Sequence, residues 1–97
     1  MKELEKTIIG KGEVKGITFT QVKHSGKVYL YKRSDGYFET FTAIEQRGCI
    51  RKIKGVEIAF EEKHIYPSGE SWNGICVKRY DRALERFNEL LAAQKLP

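Results

Sequence analysis

The order of apolar and polar positions divides the chain into a series of short strands and one closing helix. Thr18, Phe19, Thr20 and Val22 favour extended backbone and predict a strand within Glu13–Lys23. His24-Ser25-Gly26-Lys27 reads as a tight turn. Val28–Arg33 (VYLYKR) then forms the second arm of a hairpin. A further turn at Ser34-Asp35-Gly36 leads into a third strand, Tyr37–Ile44. Glu45–Lys54 shows no clear period and fits a loop, a short strand or a helical turn. After Gly55, Val56, Ile58 and Phe60 alternate with Glu57, Ala59 and Glu61, the period of two expected of a half-buried strand. Tyr66–Gly74 (YPSGESWNG) is a loop, and Ile75–Tyr80 is short and extended.

The strongest periodicity closes the chain. Behind Asp81, a favourable N-cap residue, Ala83, Leu84, Phe87, Leu90, Leu91 and Gln94 share one helical face, all apolar except Gln94. A helix of this kind docks on a sheet, and full burial of Leu84, Phe87, Leu90 and Leu91 contributes about 1.5–3 kcal/mol each. Residues 1–12 are charged and punctuated by glycine, and read as a flexible N-terminal arm with an extended piece at Thr7–Ile9. Residues 13–97 read as a single α+β domain. It is expected to be an antiparallel β-meander of four or five strands with one C-terminal α-helix packed on one face.

One helix covers one face of such a sheet, so the other face is the place to look for function. Along the second strand Val28 and Leu30 point one way, and Lys27, Tyr29, Tyr31 and Arg33 the other. With Val28 and Leu30 under the helix, the second set would form a surface of cations and phenols. Single-stranded nucleic acid is held by that mixture, with phosphates on the cations and bases stacked on the rings at about 1–3 kcal/mol per base. Overall charge permits an anionic partner: 18 Lys and Arg stand against 13 Asp and Glu in 97 residues, a net +5. The charge is also polarised along the chain. Arg47, Arg51, Lys52 and Lys54 form a cluster with no acid inside it, while acids gather at Glu57, Glu61, Glu62 and Glu70. The cluster supplies candidate phosphate contacts. Trp72, the single tryptophan, could stack on a base or anchor a partner from its loop, or fold back over the helix–sheet seam. The alternatives for the strand residues are structural. Tyrosines in strands commonly form core or cross-strand pairs, cations on edge strands block aggregation, and the same face could be buried against a second copy.

Other chemistry finds less support. His24, Cys49, His64 and Cys76 have the composition of a zinc site, but no two lie at ligand spacing, so neither metal nor other cofactor is expected. Two cysteines are too few for a disulfide framework and read as reduced thiols. Gly10-Lys11-Gly12 precedes a strand rather than the helix that a phosphate loop requires. Glu62 and His64 share a strand face, but no nucleophile–base pairing stands out and no catalytic residue is assigned. No apolar run approaches the ~20 residues of a membrane span, and no secretory leader is visible, so a cytoplasmic protein without membrane contact is expected. The order of elements resembles that of small nucleic-acid-binding modules such as PUR-repeat and Whirly domains, a likeness of order alone. The expected function is a small non-enzymatic module that binds nucleic acid through the helix-free sheet face. The alternative is a protein-interaction module or homodimer.

Overall fold

The computed structural model describes residues 2–95; Met1, Leu96 and Pro97, which belong to the expected arm and domain, lie outside the described residues. In chain order the strands are β1 Thr7–Ile9, β2 Thr18–Ser25, β3 Val28–Arg33, β4 Phe38–Thr42, β5 Ile44–Gln46, β6 Cys49–Ile53, β7 Val56–Phe60, β8 Lys63–Ile65 and β9 Ile75–Val77, followed by helix α1, Tyr80–Lys95. Five of them form an antiparallel sheet in the order β1-β2-β3-β4-β9, and α1 packs on β3, β4 and β9. This is the expected α+β meander with one C-terminal helix. Its outer strands differ from expectation: Val56–Phe60 is not part of the sheet, whose edges are β1 and β9.

The helix covers Val28 and Leu30. Both are fully buried with Ala83 and Phe87, and Phe38, Val77, Leu90 and Leu91 complete this core. The Thr40 hydroxyl, buried on the same side, donates to the carbonyl of Ala83 at 3.0 Å. Gln94 is the one polar residue on the helix's apolar face, and the structure gives it a partner. Its Oε1 accepts the backbone N–H of Lys27 at 2.8 Å, which ties the end of α1 to the β2–β3 turn. Gly26 opens that two-residue turn at φ +58°, the position where a turn of this type takes glycine. The helix starts at Tyr80, so Asp81 lies in its first turn rather than at the cap, where its charge suits the helix dipole and meets Arg79 at 2.7 Å.

The opposite face of the sheet is not open. A bulge between Gln21 and Lys23 shifts the alternation of β2, so that Phe19, Gln21 and His24 lie opposite Arg33, Tyr31 and Tyr29. β4 places Glu39 and Phe41 beside Tyr31 and Tyr29. The rings of Tyr29, Tyr31 and Phe41 stack at centroid distances of 5.9–6.1 Å. Leu4, Ile8, Val14, Ile17 and Tyr66 close over them as a second core, and Tyr29 and Tyr31 are 0% exposed. The expected surface of free phenols therefore does not exist. The cause is visible in the strand itself: Val28–Tyr31 is an unbroken apolar run, the pattern of a strand covered on both faces. The expected arm, residues 2–12, supplies part of the cover.

The remaining strands form a long hairpin. β5 pairs with β8 from Ile44↔Ile65 to Gln46↔Lys63, and β6 pairs with β7 from Cys49↔Phe60 to Ile53↔Val56. Between the two ladders stand Arg47-Gly48 on one strand and Glu61-Glu62 on the other, where Gln46 Nε2 donates to the carbonyl of Glu61 at 2.8 Å. Glu45–Lys54, ambiguous in sequence, is thus one side of this ribbon. Its base is tied to the body. Lys2 donates its N–H to the carbonyl of Glu62 at 3.1 Å and accepts from the N–H of His64 at 2.8 Å. Beyond that point β6–β7 projects, closed by Lys54 and Gly55 at φ 50° and 79°, the signature of a type I′ turn. The radius of gyration, 15.0 Å, exceeds the ~13 Å of a compact chain of about 100 residues. The alternation of Val56, Ile58 and Phe60 is real, but β7 is not half-buried: Val56 is 60% exposed and Ile58 38%, because the body ends before it can cover them.

Candidate functional site

The structure separates the nine expected contact residues into groups. Tyr29 and Tyr31 are committed to the interior. The Tyr29 hydroxyl accepts the backbone N–H of Leu4 at 3.1 Å and lies 2.5 Å from Nδ1 of His64, while His24 stacks on the ring at 4.3 Å. Tyr31 donates its hydroxyl to the carbonyl of Glu5 at 2.6 Å. Burial raises the pKa of both phenols.

Lys27 and Arg33 are paired. Lys27 Nζ lies 3.5 Å from Glu45. Arg33 uses four of its five N–H donors internally: Nε and Nη2 on Asp35 at 3.1 and 2.7 Å, and Nη1 on Glu39 at 2.9 Å and on Cys76 Sγ at 3.2 Å. The rings of Phe19 and Tyr37 lie 5.7 and 5.4 Å from its guanidinium. Glu39 itself is nearly buried, accepts a second bond from the Tyr66 hydroxyl, and with burial raises the pKa of that phenol. Arg33 is thus a structural cation inside a polar cluster, with little left to offer a phosphate.

Arg47, Arg51, Lys52 and Lys54 stand apart. All four are exposed, on the ribbon or at its hinge, and among the described residues none makes an ion pair. Directly opposed residues of a ladder share a face, so Cys49, Arg51, Ile53, Val56, Ile58 and Phe60 line one side of the ribbon. Ile50, Lys52, Glu57 and Ala59 line the other. The Arg51 guanidinium lies over the Phe60 ring at 5.3 Å, which fixes its position without neutralising it. Lys54 occupies the left-handed conformation at the tip, which costs a residue with a Cβ about 1 kcal/mol, and its charge is carried at the far end of the projection.

Trp72 rests on the second core rather than on the helix–sheet seam. Its ring lies 5.9 Å from Phe41 and 5.8 Å from Tyr66, and it remains 36% exposed. The helix side of the sheet keeps one open concavity, lined by Thr18, Thr20, Val22 and Lys32 beyond the edge of α1. It gathers far less charge than the ribbon.

Among the described residues no group of three His, Cys, Asp or Glu side chains comes together as a metal centre requires. Both cysteines are free thiols. Burial pushes the Cys76 thiol above its ordinary value, Arg33 opposing and Glu39 adding to the shift, so it is not activated as a nucleophile. Among the described residues no helix is long and apolar enough to cross a membrane. No protein-family model matches the chain, and no curated protein or solved structure is significantly similar to it.

Sequence reasoning missed the residues that organise these groups. His64 and Glu39 fasten the tyrosine face, and Ile53, Val56 and Ile58 form an uncovered aliphatic row on one side of the ribbon, with Ile50 exposed on the other. The dipeptide Lys54-Gly55 between β-branched residues was the available signal for the ribbon.

Proposed function

We propose that the chain is a non-catalytic nucleic-acid-binding module whose contact element is the β6–β7 ribbon. One observation carries this reading: Lys27 and Arg33, the cations expected on the sheet face, are paired internally, whereas Arg47, Arg51, Lys52 and Lys54, a run with no acid inside it, make no ion pair among the described residues and stand together on a projecting hairpin and its hinge. Unpaired cations on a narrow projection follow phosphates at little desolvation cost. A two-stranded ribbon also fits the ~12 Å major groove of a DNA duplex. With Tyr29 and Tyr31 buried and Phe60 under Arg51, the ribbon offers no free ring for stacking, which favours a duplex over a single strand. Binding is then dominated by the backbone and weak in sequence preference. Anisotropy titrations of labelled duplex and single-stranded oligonucleotides at low salt test it. Tighter binding of the duplex is expected; absence of binding to both overturns the reading.

A further inference from the structure

The ribbon has two free backbone edges, and they are chemically unlike. In a hairpin closed by a two-residue turn, Ile53 and Val56 bond to each other, and so do Arg51 with Ile58 and Cys49 with Phe60. The N–H and C=O groups of Lys52 and Ile50 on β6, and of Glu57 and Ala59 on β7, therefore face outward. The β6 edge carries Arg51 and Lys52, with Arg47 just before it and Lys54 just after, which guards it against another strand. The β7 edge, VEIAF, carries one charge, is exposed from Val56 to Ala59, and has neither proline nor lysine to block pairing.

We infer that the β7 edge pairs antiparallel with β7 of a second copy, centred on Ile58, so that two ribbons merge into a four-stranded sheet with the cationic β6 strands outside. The outward amides fix the phase. Glu57 and the partner's Ala59 exchange both N–H···O bonds, as do Ala59 and the partner's Glu57. Ile58 then faces the partner's Ile58 in a pair without hydrogen bonds, where side chains approach closest. Charge fixes the register. A pairing centred on Glu57 would set two carboxylates directly opposite each other, and one centred on Ala59 would set Glu57 against the partner's Glu61. Only the register on Ile58 leaves each Glu57 opposite an alanine. It also places Val56 beside the partner's Phe60 on the face that holds Ile53 and Ile58, extending an aliphatic row that one chain leaves in water. A lone two-stranded hairpin is marginal in water, and the second copy doubles its width.

The pairing does not rest on the nucleic-acid reading, and sedimentation velocity of the full chain tests it separately. The chain should show a monomer–dimer equilibrium from micromolar to near-millimolar protein. Ile58→Lys and Ile58→Glu each put like charges on the two-fold axis and should abolish the dimer, and an equimolar mixture of the two should restore it. Ala59→Pro removes an outward N–H while leaving every bond within the hairpin, and should sediment as a monomer. Cross-strand proton contacts between Lys52 and Glu57 check that each variant ribbon is folded. A chain that stays monomeric throughout overturns the pairing, as does a mixture that fails to associate or an Ala59→Pro chain that dimerises like the parent. Ala59→Pro keeps all four cations, so duplex binding measured on it reports on the nucleic-acid reading alone.

Discussion

The hydroxyl of Tyr29 lies 2.5 Å from Nδ1 of His64, within hydrogen-bond reach, and accepts the backbone N–H of Leu4 at 3.1 Å. An imidazole that stays neutral bonds this hydroxyl through Nδ1, and the contact joins β3, β8 and the N-terminal segment at one point.

A pH dependence follows from that bond. Burial lowers the pKa of His64 below its ordinary 6.5, with Glu45 opposing and His24 adding to the shift. The unfolded chain therefore takes up this proton first as pH falls. The stability contributed by neutral His64 is complete above about pH 6.5 and is lost as pH drops through the window below it. Urea midpoints measured from about pH 7 to 5 should fall, and His64→Asn should flatten that fall. An unchanged slope in the variant would assign the loss to other groups.

Glu39 holds the other end of the tyrosine face, bonded to Arg33 at 2.9 Å and to the Tyr66 hydroxyl. Glu39→Gln keeps an acceptor but removes the charge, and should cost about 1–3 kcal/mol in urea unfolding. Glu39→Ala should cost more, toward about 3 kcal/mol, since Arg33 keeps Asp35 as a partner but Tyr66 keeps none. An unchanged urea m-value would show that the loss is one of stability and not of native compactness.

Lys54 should separate stability from function. Asparagine is favoured before glycine in a type I′ turn, so Lys54→Asn should stabilise the ribbon by up to about 1 kcal/mol, read from the cross-strand NMR contacts of β6 and β7 on heating. The same variant should bind duplex more weakly, its log–log salt slope falling by about 0.9 for one lost phosphate contact. A variant that gains ribbon stability with unchanged affinity would remove Lys54 from the interface.

Local patterns carried most of the fold and little of the site. The β2–β3 hairpin and α1 were readable because turn glycines and helical spacing act over a few residues. The side of β3 that the helix covers was readable by alternation. What covers the other side was not, since Leu4 and His64 reach Tyr29 across 25 and 35 residues with no local pattern. The run VYLY did hint at it, because a strand apolar at consecutive positions has no polar face to give to water. The cations divide by the same logic. Arg33 has Asp35 two residues on and Glu39 within the next strand, close enough for internal pairing, whereas no acid lies between Arg47 and Lys54. Exposure of the aliphatic row on β7 followed from tertiary structure alone: its period is that of a buried strand, and only the reach of the body decides otherwise.

The claim that the ribbon, and not the sheet, meets nucleic acid is tested most directly by the salt dependence of duplex affinity in two variants. Four phosphate contacts predict a log–log slope of about −3.6 for the parent chain. Replacing Arg47, Arg51, Lys52 and Lys54 together by glutamine should bring the slope close to zero, while Lys27→Gln should leave it unchanged. A steep slope that survives the fourfold replacement would contradict the account.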